Sequence, residues 1–512
     1  MAASPRDGIS RASGHHAIQY AFRESAIYWR LPQRCENETE ASVADQSLIH
    51  ETATAVVAKL KSGEVTPLDL LDVLEARIKA VDGKVNALPT LCFDRAREHA
   101  KKLVQRPAAE RGMLAGLPVP IKDLNEVAGV LTTHGSPIFK DNVPAKSDVL
   151  VDLLEDNGAV VYAKSNTPEF GAGGNTFNEV FGATRNPWDL ARSAAGSSGG
   201  AAAALASGTA WLAHGSDMGG SLRNPASFCG IVGMRPSFGR VAHTPRFKVD
   251  ATLGVQGPMA RNVEDVALLL DAMSGEHPAD PTSLPVLPTS FLAAARSGRK
   301  PVRVAYSRDL GIMPVDPEVA AVTRKAAERF TEAGIIVEEA QPDLRETHEC
   351  FHVLRAFEFA MGMSPLLRDK RDLLKPEVIW NIEQGLKLSV EDIARAEAQR
   401  VTLTQRALAF FETYDLLLCP ATIVAPFPVE QRYVAECDGK KFDNYVEWLG
   451  IAYAITVACC PALSLPCGFT ASGLPIGLQM VARPRNEAGL LAGARVLEDI
   501  LGLRGSTPID PR

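Results

Sequence analysis

Residues 181–240 read FGATRNPWDLARSAAGSSGGAAAALASGTAWLAHGSDMGGSLRNPASFCGIVGMRPSFGR, the stretch on which the reading of the whole chain turns. From Gly171 to Gly239 the chain is rich in Gly, Ser, Ala and Asn, the composition of backbone that turns tightly and lets other groups come close. Two runs inside it carry candidate chemistry: Gly196-Ser-Ser-Gly-Gly200 and Gly215-Ser-Asp-Met-Gly-Gly-Ser221. Each alone reads as a flexible turn. Glycine-rich loops also cradle phosphates, but neither G-x-x-x-x-G-K-[ST] nor G-x-G-x-x-G occurs, so nucleotide binding has no support. Gly196–Gly200 does fit G-x-S-x-G, the elbow in which Ser198 would be the nucleophile and a later residue such as His243 the base. That elbow needs a strand directly before it. Asn186-Pro-Trp-Asp-Leu-Ala-Arg-Ser193 holds a Pro and an Asp and no β-branched run, so no strand is expected there.

Upstream, Lys122 closes the apolar run Gly116-Leu-Pro-Val-Pro-Ile-Lys122. A lone lysine at a strand end ordinarily snorkels to the surface. Set in an apolar run, it has a second use: burial favours the neutral amine, which can take a proton from a serine hydroxyl too weakly nucleophilic by itself.

Around these runs the pattern is that of an α/β protein. Leu48–Val81 is helical, and Thr66-Pro-Leu-Asp69 has the cap, N1 proline and acidic first turn of a helix start. Short apolar segments at Leu117–Ile121 and Ala159–Ala163 flank a helix-like Val149–Leu154, each ending in Gly, Pro or Asn, an alternation that builds a sheet with helices. Asn262–Gly275 reads as a capped helix. Residues 301–400 are mostly helical, with strands at Val302–Tyr306 and Ile335–Glu339. The end returns to strands at Asp415–Cys419, Ala462–Pro466 and Ile476–Val481, then a helix from Asn486 to Leu501. Residues 1–45 mix charge, His, Pro and aromatics without a period and read as a poorly structured extension.

The 512 residues carry 46% hydrophobic and 22% charged residues, ordinary for a globular chain. The net charge of −7 and the lack of basic runs give no footprint for a nucleic acid. No stretch of about 18 apolar residues appears and the start lacks a secretory core, so no membrane contact and a cytoplasmic location are expected. The nine cysteines show no C-x-x-C pair, so a metal site is not expected and most should be reduced and buried.

Taken together, Gly116–Asp123, residues 181–240 and the downstream Gly473-Leu-Pro-Ile-Gly-Leu-Gln479 resemble the amidase signature family, with a likeness running from about residue 48 to 503. The resemblance implies an α/β amidase signature fold: a single large domain over 46–512, with a central mixed, twisted β-sheet covered by helices on both faces and a helical, substrate-shaping region at 300–400. It places Lys122, Ser197 and Ser221 where the family has its Lys, cis-Ser and Ser triad, with the Gly196–Ser197 peptide cis. Lys122 would take a proton from Ser197, Ser197 one from Ser221, and Ser221 would attack the carbonyl to form an acyl-enzyme; Ser197 would then protonate the departing amine. The backbone amides of Met218, Gly219, Gly220 and Ser221 would form the oxyanion hole. Ser198, Asp217 and Arg223 would orient the loop behind them. His134 and His214 read as packing residues, since Lys122 supplies the base, and neither metal nor cofactor is expected.

The resemblance implies an amidase acting on linear amides, with a small-molecule amide as its partner and homodimers as the family's common state. A rival within the family is the A subunit of the tRNA-dependent glutamine amidotransferase. Members of that subgroup read N-M-D-E-F where this chain has Asn166-Thr-Pro-Glu-Phe-Gly-Ala-Gly-Gly174, which favours a stand-alone enzyme. A non-catalytic binding protein that kept the fold is a rival of another class, opposed by the retention of all three triad residues. Gly173, Gly174, Tyr445 and Trp448 are candidate pocket residues, with core packing as the other reading of the aromatics. With no evident arginine cluster, a small neutral amide is expected, with aryl amides, anilides and carbamates as candidates.

Overall fold

The computed structural model describes residues 45–245 and 248–512; the extension expected at the start, up to residue 44, lies outside the described residues. Thr90–Leu91 (β1), Pro118–Lys122 (β2) and Val160–Ser165 (β3) form a small sheet in the order β1-β3-β2, with β2 and β3 parallel. The two prolines of β2 have no N–H to give a ladder, and β2 is accordingly an edge strand of this sheet.

The large sheet has eight strands: Leu212–Asp217 (β4), Val232–Arg235 (β5), Val255–Ala260 (β6), Arg303–Tyr306 (β7), Ile336–Glu339 (β8), Leu416–Pro420 (β9), Ala462–Phe469 (β10) and Pro475–Val481 (β11). Their order is β8-β7-β9-β11-β10-β5-β6-β4. The strand β7 runs parallel to β8 and β9 while the remaining pairs are antiparallel, so the sheet is mixed as expected.

Helices cover both faces, which the register makes visible. Cys419 stands opposite Gln479, and Leu418 opposite Met480 and beside Tyr306, so the two sets point to opposite faces. On the first face Gln479 donates to the Ile451 carbonyl of the Gly450–Val457 helix and accepts from Arg223 of the Arg223–Cys229 helix. On the second, Tyr306 donates to the Ala320 carbonyl of the Pro317–Glu328 helix. There too Gly493 of the Glu487–Leu501 helix lies so near Leu416 that a Cβ would come within 2.7 Å of Leu416 Cδ1.

Local signals settle many boundaries. Thr66 accepts from Asp69 N–H and Asp69 accepts from the Thr66 N–H, a reciprocal cap that starts the Pro67–Val85 helix. The Asn262 side chain accepts from Asp265 N–H and caps Val263–Met273. Three helices, Thr347–Lys370, Pro376–Leu386 and Val390–Phe410, fill most of 347–410.

Two expectations need correction. Asp189–Ser193 is a strand after all, paired with Arg185–Asn186 in a two-stranded hairpin outside the large sheet. The glycine-rich region also contributes β4 and β5, which its composition hides. Glycine is demanded there by close packing: a Cβ on Gly233 would lie 2.4 Å from the Leu222 carbonyl oxygen. Among the described residues no helix is long and apolar enough to cross a membrane, and the eight described cysteines are unpaired, six of them buried.

Candidate active site

Strand β2 delivers Lys122 beside β4. The Lys122 N–H donates to His214 Nδ1 at 3.3 Å, which leaves the ring proton on Nε2 to donate to Gln256 Oε1 at 2.8 Å. Burial pushes the His214 pKa down to about 3, so the ring is neutral and serves as a clamp between β2, β4 and β6.

The Lys122 side chain is fully buried, and Nζ donates to three hydroxyl oxygens: Ser197 at 2.7 Å, Ser198 at 2.9 Å and Ser216 at 3.0 Å. An ammonium has three protons, so this cage satisfies it completely; as a neutral amine it has one lone pair to offer to a hydroxyl. Burial pushes its pKa down to about 7, and the Asp217 carboxylate restrains the fall.

Ser197 follows a cis Gly196–Ser197 peptide and Ala195 at φ 56°. A Cβ at Gly196 would be tight, 3.0 Å from the Gly173 carbonyl oxygen, and none fits at Gly200, where it would stand 2.3 Å from Asn166 N. The Gly199–Ala206 helix then carries a continuous buried alanine face into the core.

Asp217 and Arg223 hold the second loop. Arg223 Nε donates to Asp217 Oδ2 at 3.0 Å and Nη2 to Oδ1 at 2.8 Å, with both side chains fully buried. Arg235 adds a bond to the Asp217 carbonyl at 2.6 Å. Burial opposes the charge on Asp217, but the Arg223 guanidinium prevails and holds the carboxyl well below its ordinary range. That carboxylate accepts from Gly220 N–H at 3.0 Å and Leu222 N–H at 3.1 Å, which fixes the turn around Ser221. Ser198 N–H donates to the Ser221 carbonyl at 3.2 Å and joins the two loops.

Ser197, Ser216, Met218 and Ser221 line one cavity of about 230 Å³ together with Arg355 and Glu358. Ser221 Oγ has no hydrogen-bond partner among the described residues, so the Lys122–Ser197 contact is made directly whereas Ser197 and Ser221 share the cavity without a bond between them. Ser198 is fully buried and stays off the cavity wall, bonded to Lys122 and to the Ser216 carbonyl, a poor place for the elbow nucleophile.

The structure does not bring Gly173, Gly174, Tyr445 and Trp448 to the cavity wall. Trp448 is buried against Gly174 and stands edge-on to Phe427, and Tyr445 uses its hydroxyl to accept from Arg355. They pack behind the site. His134 packs edge-on to Phe139.

Sequence reasoning missed Ser216, Arg355 and Glu358. Ser216 lies two residues after His214, the period that puts both on one face of a strand, a signal legible only once 212–217 is read as a strand. Arg355, Glu358 and Phe359 share one face of the Thr347–Lys370 helix at spacings of three and four. Burial drives Glu358 up to about 7 against the pull of Lys248, Arg400 and Arg355. Among the described residues no cluster of His, Cys, Asp or Glu is arranged to hold a metal ion.

The chain as a whole is similar to known amidases. A family model described as Amidase matches residues 69–491. The acylamidase of Rhodococcus erythropolis is 35% identical over 475 residues, 91% of this chain and 99% of that protein. The A subunit of the glutamyl-tRNA(Gln) amidotransferase of Moorella thermoacetica is 36% identical over 475 residues, covering 88% and 95%. Among solved structures, a bacterial aryl acylamidase of the amidase signature enzymes aligns with a TM-score of 0.83 at 27% identity, covering 90% of this chain and 99% of that one.

Proposed function

This chain belongs to the amidase family, and from that premise we propose that it is a stand-alone amidase hydrolysing small amides through an acyl-enzyme on Ser221. Aryl amides, anilides and carbamates are the candidate substrates. The observation that carries the reading is the 2.7 Å contact between the buried Lys122 Nζ and Ser197 Oγ, on the wall of the cavity that also holds Ser221.

In the proposed sequence, the neutral Lys122 amine accepts the Ser197 proton while Ser197 Oγ accepts that of Ser221, whose oxygen bonds to the substrate carbonyl carbon. The amides around Ser221 receive the oxyanion. Gly220 N–H is already given to Asp217, so this load falls on the neighbouring amides of Met218, Gly219 and Ser221. The relay then reverses: Ser197 donates a proton to the amine nitrogen, the C–N bond breaks, and water repeats the cycle on the ester to release the acid. A base whose conjugate acid has a pKa near 7 is suited to both directions at neutral pH.

The amidotransferase component is the second reading, favoured by its 36% identity and opposed by the Asn166–Gly174 segment. Initial rates on a panel of chromogenic anilides, with free glutamine beside them, separate the two. Anilide turnover lost in Ser221→Ala supports the amidase. Glutamine hydrolysis alone, or only in the presence of partner proteins, supports the amidotransferase, and turnover that survives Ser221→Ala removes Ser221 as nucleophile.

A further inference from the structure

Arg355 reaches the cavity but has no part in the proposed chemistry. It sits on the Thr347–Lys370 helix, 8% exposed, and lines the same cavity as Ser197 and Ser221. Its Nη1 lies 3.2 Å from Met218 Sδ, three residues before Ser221, and its Nη2 donates to the Tyr445 hydroxyl at 2.7 Å. The guanidinium stacks over the Phe359 ring at 4.4 Å. Glu358, one turn along the helix, lines the same cavity and feels the Arg355 charge, but among the described residues no carboxylate forms an ion pair with Arg355, and Nε, also buried, has no acceptor. Arg223, the buried guanidinium behind the nucleophile turn, is by contrast met by Asp217.

Buried charges are ordinarily paired, because an unpaired one loses its hydration without compensation. The thioether of Met218 and the phenol of Tyr445 are weak or neutral acceptors that hold the guanidinium in place without neutralising it. The planar donors of arginine match a carboxylate. A ligand that reaches Ser221 and Arg355 within one small cavity is a short amide with an acid group near the scissile bond.

We propose that Arg355 is a specificity-determining residue that binds a carboxylate carried by the substrate, so that the preferred amides are short and anionic. This replaces the neutral substrate expected from the sequence and rests on the amidase reading above. Phe359 supplies an apolar wall that shields the pair from water.

The test uses two matched substrate pairs, each with a carboxylate in one member where the other has a methyl group: succinic mono-4-nitroanilide against butyric 4-nitroanilide, and N-acetyl-4-aminobenzoate against N-acetyl-4-toluidine. Wild type should favour the acid in at least one pair by roughly 10- to 100-fold in kcat/KM, the range of a hydrogen-bonded charge pair, with most of the effect in KM. Arg355→Gln should erase that ratio and Arg355→Lys should keep part of it, a readout that general damage to the fold does not move. Equal rates on acid and neutral members in wild type, or a preference that persists in Arg355→Gln, overturn the proposal. Turnover of the neutral members, abolished in Ser221→Ala, shows separately that the amidase reading stands. If wild type cleaves none of them, labelling of Ser221 by an alkyl fluorophosphonate decides. Protection by succinate lost in Arg355→Gln supports the carboxylate site, and absence of protection overturns it.

Discussion

Ser216 Oγ accepts a hydrogen bond from Lys122 Nζ at 3.0 Å, and two residues earlier on the same strand His214 accepts the Lys122 backbone N–H. One strand thus holds both ends of the lysine, its main chain and its amine. Ser216 is therefore more than a filler between the two loops: it fixes the amine against Ser197.

Removing that hydroxyl should loosen the amine and withdraw an acceptor from its charged form. Ser216→Ala is expected to lower kcat by roughly 10- to 100-fold, the low end of what positioned proton transfer contributes. The acid limb of the pH–rate profile should also move to lower pH, because the ammonium loses a stabilising bond. A kcat within twofold of wild type, or a limb displaced upward, would refute the positioning role.

The pKa of Lys122 near 7 fixes the sign of the pH dependence. In the proposed relay the Lys122 base works neutral, so kcat/KM should rise with pH and level off above about 7. Glu358, which also titrates near 7, is the competing source of such a limb. In Glu358→Gln the limb should keep its position whatever happens to its height. Stability carries the same signature. The folded pKa lies below the unfolded value, so between about 7 and 10.5 the unfolded chain holds the extra proton and wild type gains stability as pH rises, by about 1.4 kcal/mol per unit. Subtracting the profile of Lys122→Met should isolate that slope; a flat difference over this interval would place the lysine charged in the fold.

Much of this is legible in the residues themselves. Thr66 and Asn262 announce their helices because caps are local chemistry, and β9, β10 and β11 read as apolar runs. The Lys122, Ser197 and Ser221 motifs are visible because each sits in a run of glycines or apolar residues. What stays hidden depends on tertiary packing. Strands β4 and β5 look like loop because Gly215 and Gly233 stand where Leu222 presses on the sheet. Arg355 is one arginine among many until the helix places it next to Met218.

Asp217 and Arg223 offer a test of what fixes the turn around Ser221. Asp217→Asn leaves a fully buried guanidinium facing a neutral amide, and breaking such a pair costs about 3–5 kcal/mol. A fall in the denaturant midpoint of that order is expected. The double variant Asp217→Asn/Arg223→Met should recover part of it, since the Arg223 charge is gone and only Arg235, which also pairs with Asp217, is left without its carboxylate. Strictly additive losses would show that the two residues do not act as a pair.

Gly174 and Trp448 decide whether the aromatic group behind the cavity binds substrate or packs. A Cβ on Gly174 would lie 2.3 Å from Trp448 Cζ2, and Trp448 is almost completely buried between it and Phe427. Gly174→Ala must therefore displace the indole, an overpacking that costs roughly 1–3 kcal/mol. A lowered Tm and altered tryptophan emission are expected. Shrinking the partner in Gly174→Ala/Trp448→Phe should restore much of the Tm, because the clash is removed from the other side. Trp448→Phe alone should lower Tm through the small void it leaves, with KM values across the anilide panel shifting together. If instead Trp448→Phe changes KM for bulky anilides selectively while Tm holds, the indole touches substrate and belongs to the pocket.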